Sequence, residues 1–159
     1  MADARIFQEL KRDHDKHRDL LEKLSDADSR DERRDLFETL RKELQAHAAA
    51  EEESLYATML GNPDLRDEAR HSVSEHKEID DKLGELQEAD EASSEWEETF
   101  GELRHRYLHH IEEEEEEMFP KADEELSPQT EERLAEVFEK RKPKELKRAE
   151  NEKPGDERE

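Results

Sequence analysis

Four stretches of this sequence carry apolar residues at helical spacing, and each stripe is broken near its middle by histidine or glutamate. Phe7, Leu10, Leu21 and Leu24 keep a 3-4-3-4 rhythm whose missing members are His14 and His17. Phe37, Leu40 and Leu44 continue onto His47 and Glu51, with Leu55 and Met59 beyond. Ala69, Val73, Ile79, Leu83 and Leu86 surround His76, while Trp96, Phe100, Leu103 and Tyr107 lead to His110, Glu114 and Met118. Stripes of this period, with almost no β-branched alternation, read as four amphipathic helices. Burying a polar group without a partner costs roughly 2–7 kcal/mol, and more for a carboxylate. A chain with only 30% hydrophobic and 48% charged residues has too little apolar burial to carry that cost several times over. The same replacement in four helices therefore predicts that these groups satisfy one another around a shared metal centre.

The punctuation supports four helices. Ser25 to Ser29 is a polar joint, and Gly61-Asn62-Pro63 breaks the second helix from the third with a capping Gly and a stopping Pro. Ala89 to Ser94 precedes the fourth helix, where Ser94 is expected to cap with Glu97 three residues on. Pro120 is expected to close that helix. Short connections favour antiparallel neighbours, so the predicted fold is all-α, an up-down-up-down antiparallel four-helix bundle over residues 1–122. A short fifth helix is expected within 123–142, with Leu134, Val137 and Phe138 on its apolar face. Residues 143–159 are nearly all charged and read as frayed helix or a disordered tail.

An internal repeat sharpens the metal reading. His47-Ala-Ala-Ala-Glu51 matches His110-Ile-Glu-Glu-Glu114 at a shift of 63, and Asp13-His14 matches Glu75-His76 at a shift of 62. The chain reads as one helical hairpin duplicated, each copy giving a lone His and a His-x-x-x-Glu pair. Residues at i and i+4 share a helix face. The predicted metal set is His14, His47, Glu51, His76, His110 and Glu114. Two carboxylates suit the bridging of two ions, and the mixed N/O donors suit iron, with zinc and manganese as alternatives. Depth agrees around the Gly61 turn: His47 and His76 each lie about 13 residues away, roughly 20 Å at 1.5 Å per residue. The first connection matches less well, since His14 is about ten residues from its helix end and His47 about sixteen from its start.

Plainer readings compete for single residues. The acidic run Glu112 to Glu117 would ordinarily be a solvated face, but its phase selects Glu114 as inward, with Glu117 also inward one turn further on. His109 lies about 100° off the stripe that carries His110. His17 matches Ile79 in the repeat, which favours a packing or supporting role over ligation. His71 and His105 lie off the stripes. Tyr107, one turn from His110, reads as core, with lining access to the metals as the functional alternative.

Composition removes other classes. The 159 residues suit one compact domain. The absence of cysteine excludes disulfide scaffolds, thiolate metal sites and a Cys nucleophile. No apolar run approaches the about 18 residues of a membrane helix, and no secretory signal is read at Met1–Leu10, so a cytoplasmic protein is expected. A net charge of −23 argues against nucleic acid as partner, which needs a basic surface. No Gly-rich phosphate loop is visible among four glycines.

Asp13-His14, His47-x-x-x-Glu51-Glu52 leading to Leu55-Tyr56, Glu75-His76, and His110-x-x-x-Glu114-Glu115 leading to Met118-Phe119-Pro120 together resemble the hemerythrin-like HHE cation-binding domain family. The resemblance spans about residues 3 to 122. It implies a non-haem di-iron centre with His14, His47, His76 and His110 as terminal ligands and Glu51 and Glu114 as bridges. It also implies oxygen, nitric oxide or peroxide as the small-molecule partner, bound or sensed. The alternative is a di-iron enzyme acting on peroxide or nitric oxide, or an iron donor in the repair of damaged iron centres. Oxygen-carrying hemerythrins use a fifth histidine and an Asp bridge, neither evident here, which weighs against reversible oxygen storage. An acidic bundle that holds no metal is the remaining alternative.

Overall fold

The computed structural model describes residues 4–154. Among them every regular element is helical, as the stripes predict. Helix α1 spans Arg5–Ser25 and α2 spans Arg30–Glu51; a π turn, Glu52–Tyr56, carries α2 on into the short α3, Ala57–Leu60. After the Gly61-Asn62-Pro63 break comes α4, Arg66–Glu88. Helix α5, Ser94–Glu113, continues through a second π turn, Glu114–Met118, into α6, Phe119–Glu125. Helix α7 spans Pro128–Ala149. The elements thus form five rods, two of them with a π turn inside.

Hydroxyl caps start three of these helices. The side chains of Ser29, Ser93 and Ser127 accept from the backbone N–H of Glu32, Trp96 and Thr130, each satisfying a donor that the helix itself cannot. The α5 cap is therefore Ser93, one residue before the expected Ser94.

Two expected boundaries fall differently. Pro120 does not close the fourth rod, which runs on to Glu125. In a regular helix a proline ring meets the carbonyl four residues earlier and removes a hydrogen bond. Here the preceding turn is widened, and Phe119 N–H bonds to the carbonyl of Glu114, five residues back, so the ring enters where the spiral is already open. Nor does the chain become a tail at Pro143. Helix α7 continues through it to Ala149, and Glu145 and Ala149 are buried. The cause is tertiary: Arg41 of α2, itself buried, donates to the carbonyls of Ala149 and Glu152 at 2.9 and 3.0 Å, and α7 packs along α1 and α2. The far end of the expected tail, 155–159, lies outside the described residues.

The apolar residues form two clusters rather than one. Ile6, Leu10, Leu55, Met59, Leu65 and Phe119 belong to the first, with Leu134, Ala135 and Phe138 of α7. Leu21, Leu40, Leu83, Trp96, Phe100 and Leu103 belong to the second. Along each of the first four rods the predicted metal residues fall between the two clusters. A polar layer thus lies inside the bundle with an apolar cluster at either end of it along the rods.

Deleting residues 143–159 should destabilise the protein, because it removes two carbonyl acceptors from a buried guanidinium. The expected loss is about 1–3 kcal/mol, read by circular dichroism as a melting temperature lowered by roughly 5 °C. An unchanged melt would show that this end of α7 contributes nothing.

Candidate metal centre

The structure brings all six predicted residues together in that layer. His14, His47, Glu51, His76, His110 and Glu114 are buried, the most accessible being His76 at 8%. Their side chains form two groups, His14, His47, Glu51 and Glu114, and Glu51, His76, His110 and Glu114; in each, one ligand atom from every residue lies within 4.8 Å of the others. The two groups share both glutamates. Every imidazole turns Nε2 toward them: His14 is 3.2 Å from Glu114 Oε1, His110 is 3.7 Å from the same atom, and His47 and His76 are 3.5 and 3.4 Å from Glu51 Oε1. The unequal spacing about the first connection does not keep the histidines apart. The rings of His14 and His47 meet at 5.1 Å, and those of His76 and His110 at 4.9 Å, so the first turns of α2 extend past the end of α1.

Each ring is aimed from behind by a carboxylate. Nδ1 of His14 bonds to Glu115 at 2.7 Å, of His47 to Asp13 at 2.8 Å, of His76 to Glu52 at 3.0 Å and of His110 to Glu75 at 2.7 Å. A carboxylate only accepts, so Nδ1 carries a proton, and Nε2 is the nitrogen turned inward, where it can take a metal ion or a second proton. The pattern repeats with the duplication. Asp13 and Glu75 serve a histidine of their own hairpin, whereas Glu52 and Glu115 serve one in the other. Sequence reasoning quoted these four acids beside the ligands but gave them no role. Their only signal was adjacency, and neighbours on a helix point about 100° apart, so the crossing of the helices was needed to aim them.

The π turns begin at or just after the two shared glutamates. They also change which of the later residues face inward. Glu117, expected to point inward, is exposed, and Met118 takes the inward position; the extra residue in the turn rotates the phase. Tyr56, in the first π turn, donates its hydroxyl proton to Glu114 Oε2. His109, His71 and His105 are exposed, as their phase predicted. His17 is fully buried with Nδ1 2.6 Å from the Tyr107 hydroxyl, and burial pushes it down to about 3, so it is a neutral imidazole. It stands outside both shared-glutamate groups, although it lies close to Asp13 and His47.

The inner atoms are what a cation requires. Nε2 of His14, His47 and His110, both oxygens of Glu51 and Oε1 of Glu114 are buried with no hydrogen-bond partner. Four nitrogens and shared carboxylates fit a pair of transition-metal ions. Without ions, protons must balance the charge. Burial opposes a charged imidazole, but Glu114 and Glu115 outweigh it and raise His14 to about 9; Glu51 and Glu52 raise His76 to about 10 in the same way. Burial also opposes a charged carboxyl, yet His47 and His76 hold Glu51 well below the usual carboxylate range. A metal ion held by these atoms would take the place of the protons.

The helical bundle and its histidine–carboxylate layer define a metal-binding helical protein. The model of the Hemerythrin HHE cation binding domain matches residues 5–122, and the chain belongs to that family. A solved structure of a hemerythrin HHE cation binding domain-containing protein from Mycobacterium kansasii shares the fold, with a TM-score of 0.74 and 24% identity over 98% of this chain and 96% of that one. No curated protein matches the sequence. Among the described residues no helix is long and apolar enough to cross a membrane.

Two outcomes are expected. A histidine whose pKa rises on folding adds stability that is complete below its unfolded value, about 6.5, and is lost as pH climbs through the folded one. Metal-free protein should therefore lose stability from about pH 7 to pH 10, as His14 at about 9 and His76 at about 10 give up protons. The melting temperature should fall by roughly 5 °C, while ions holding the imidazoles keep the loaded protein nearly level; melts across this span with and without metal check both. Separately, Glu52→Ala leaves His76 unaimed and should weaken metal affinity about 10- to 100-fold, measured by competition with a chromophoric chelator.

Proposed function

We propose that this chain is a non-haem di-iron protein. His14, His47, His76 and His110 hold two ions terminally and Glu51 and Glu114 bridge them, within an up-down-up-down arrangement of the first four rods. Its role is to bind or sense a small ligand of the oxygen, nitric oxide or peroxide class. The observation that supports this is the pair of buried groups sharing both glutamates, whose inner atoms find no protein partner. Iron there supplies a redox-active Lewis acid. The protein supplies the rest. Asp13, Glu52, Glu75 and Glu115 hold the imidazoles in one tautomer, the two apolar clusters exclude bulk water, and the Tyr56 hydroxyl stands on Glu114 as a hydrogen-bond donor inside the layer.

Metal analysis of freshly purified protein, then anaerobic reconstitution with ferrous iron and optical titration with oxygen, nitric oxide and peroxide, tests the reading. Two irons per chain and a stable, reversible spectral change are expected. Zinc or manganese in their place would overturn the iron assignment, and sustained turnover would make the protein an enzyme. Glu114→Ala should drop metal content well below two ions per chain; unchanged stoichiometry would remove Glu114 as a bridge.

A further inference from the structure

The duplication makes the two hairpins comparable position by position, and the fold treats their outer faces differently. On the first hairpin, Ile6, Leu10 and Ala50 are buried in one cluster with Leu134, Ala135 and Phe138 of α7. The Phe138 ring stands 5.9 Å from that of His47. Just beyond, the Lys142 ammonium bonds to Asp13 at 2.7 Å and Glu43 at 3.3 Å. That side is sealed, and its acids have a built-in cation.

The second hairpin carries Glu68, Ser72 and Glu113 at the matching positions, and a cavity of about 50 Å³ opens beside them. A water needs only about 10–15 Å³ on this measure. His71, Glu75, Glu113 and Glu117 line the cavity together with the buried His110 and Glu114. Glu114, which lines the cavity, is 2% exposed and carries Oε1, one of the unpartnered atoms of the centre.

We infer that this cavity between α4 and α5 is the route by which divalent cations reach the centre, and that His71, Glu75 and Glu113 form a surface site that captures them first. The inference rests on the metal-centre reading above. Ligand atoms of these three residues lie within 4.8 Å of one another, with His71 Nε2 3.4 Å from Glu75 Oε2 and 3.5 Å from Glu113 Oε1. One imidazole and two carboxylates are a donor set for a first-row divalent ion. The groups facing these acids are imidazoles, His109 also facing Glu113 at 3.3 Å, and an imidazole can ligate a metal where the Lys142 ammonium of α7, on the sealed side, cannot. Glu68, which lines the cavity, pairs with Lys121. Glu75 joins the two sites directly, since its other oxygen accepts from His110 Nδ1. A net charge of −23 concentrates cations at the surface, and a cleft of one sign steers them inward.

The experiment uses full-length metal-free protein mixed with Co²⁺ in a stopped-flow spectrometer, reading the visible absorption of the bound ion. The double variant His71→Ala, Glu113→Gln should take up cobalt about tenfold more slowly, the scale of lost electrostatic focusing. It should still reach two ions per chain and the wild-type loaded melting temperature. His71→Lys, which sets a fixed ammonium at the port as Lys142 of α7 does on the sealed side, should slow uptake likewise. Glu9→Gln, at the position matching His71 on the sealed side, should not. Uptake at the wild-type rate in both port variants overturns the inference while leaving the centre standing. If wild-type protein itself fails to bind two ions, the metal-centre reading falls and the port falls with it.

Discussion

A carboxylate can sit inside an apolar bundle only against positive charge, and here two of them do so together. Glu51 and Glu114 face four imidazole nitrogens in a layer between two apolar clusters. Most of the structure serves to keep that layer satisfied. The outer acids hold the rings, the rings hold the inner acids, and the inner atoms left without a protein partner are of the kind that a cation satisfies. Such a network is costly if broken at any member, which is why both halves of the duplicated hairpin carry it whole.

The π turns belong to the same requirement. A regular helix would place Glu51 and Glu52, or Glu114 and Glu115, at a fixed angle, and would carry Glu117 inward. The extra residue in the second turn shifts the inward phase, so that Glu117 is exposed while Met118 and Phe119 are buried. The widened spiral also admits Pro120 without ending the rod. One local irregularity thus serves inward phase and chain continuity at once.

Duplication alone would make the two histidine–glutamate groups equivalent. Helix α7 removes that equivalence. It lies along α1 and α2, sets Phe138 against His47 and puts Lys142 on Asp13, while the face between α4 and α5 stays polar and carries the cavity. The centre is therefore closed on one side and approachable from the other, a difference imposed from outside the repeated unit.

Much of this was legible in the residues themselves. Periodicity showed four helices because apolar burial is a one-dimensional pattern at 3.6 residues per turn. The interruptions at His14, His47, Glu51, His76, His110 and Glu114 stood out because a chain so poor in apolar residues does not bury such groups without a reason. The supporting acids, the Tyr56 contact and the docking of α7 past Pro143 were not legible. Each depends on which residues of different helices meet, and adjacency or charge along the chain carries no information about that. So the order of the helices and the inward stripe with its polar breaks were determined by the sequence alone, through local geometry. The tautomer of each histidine, the π turns and the asymmetry of the two faces were decided only when the rods came together, because those depend on contacts between residues far apart in the chain.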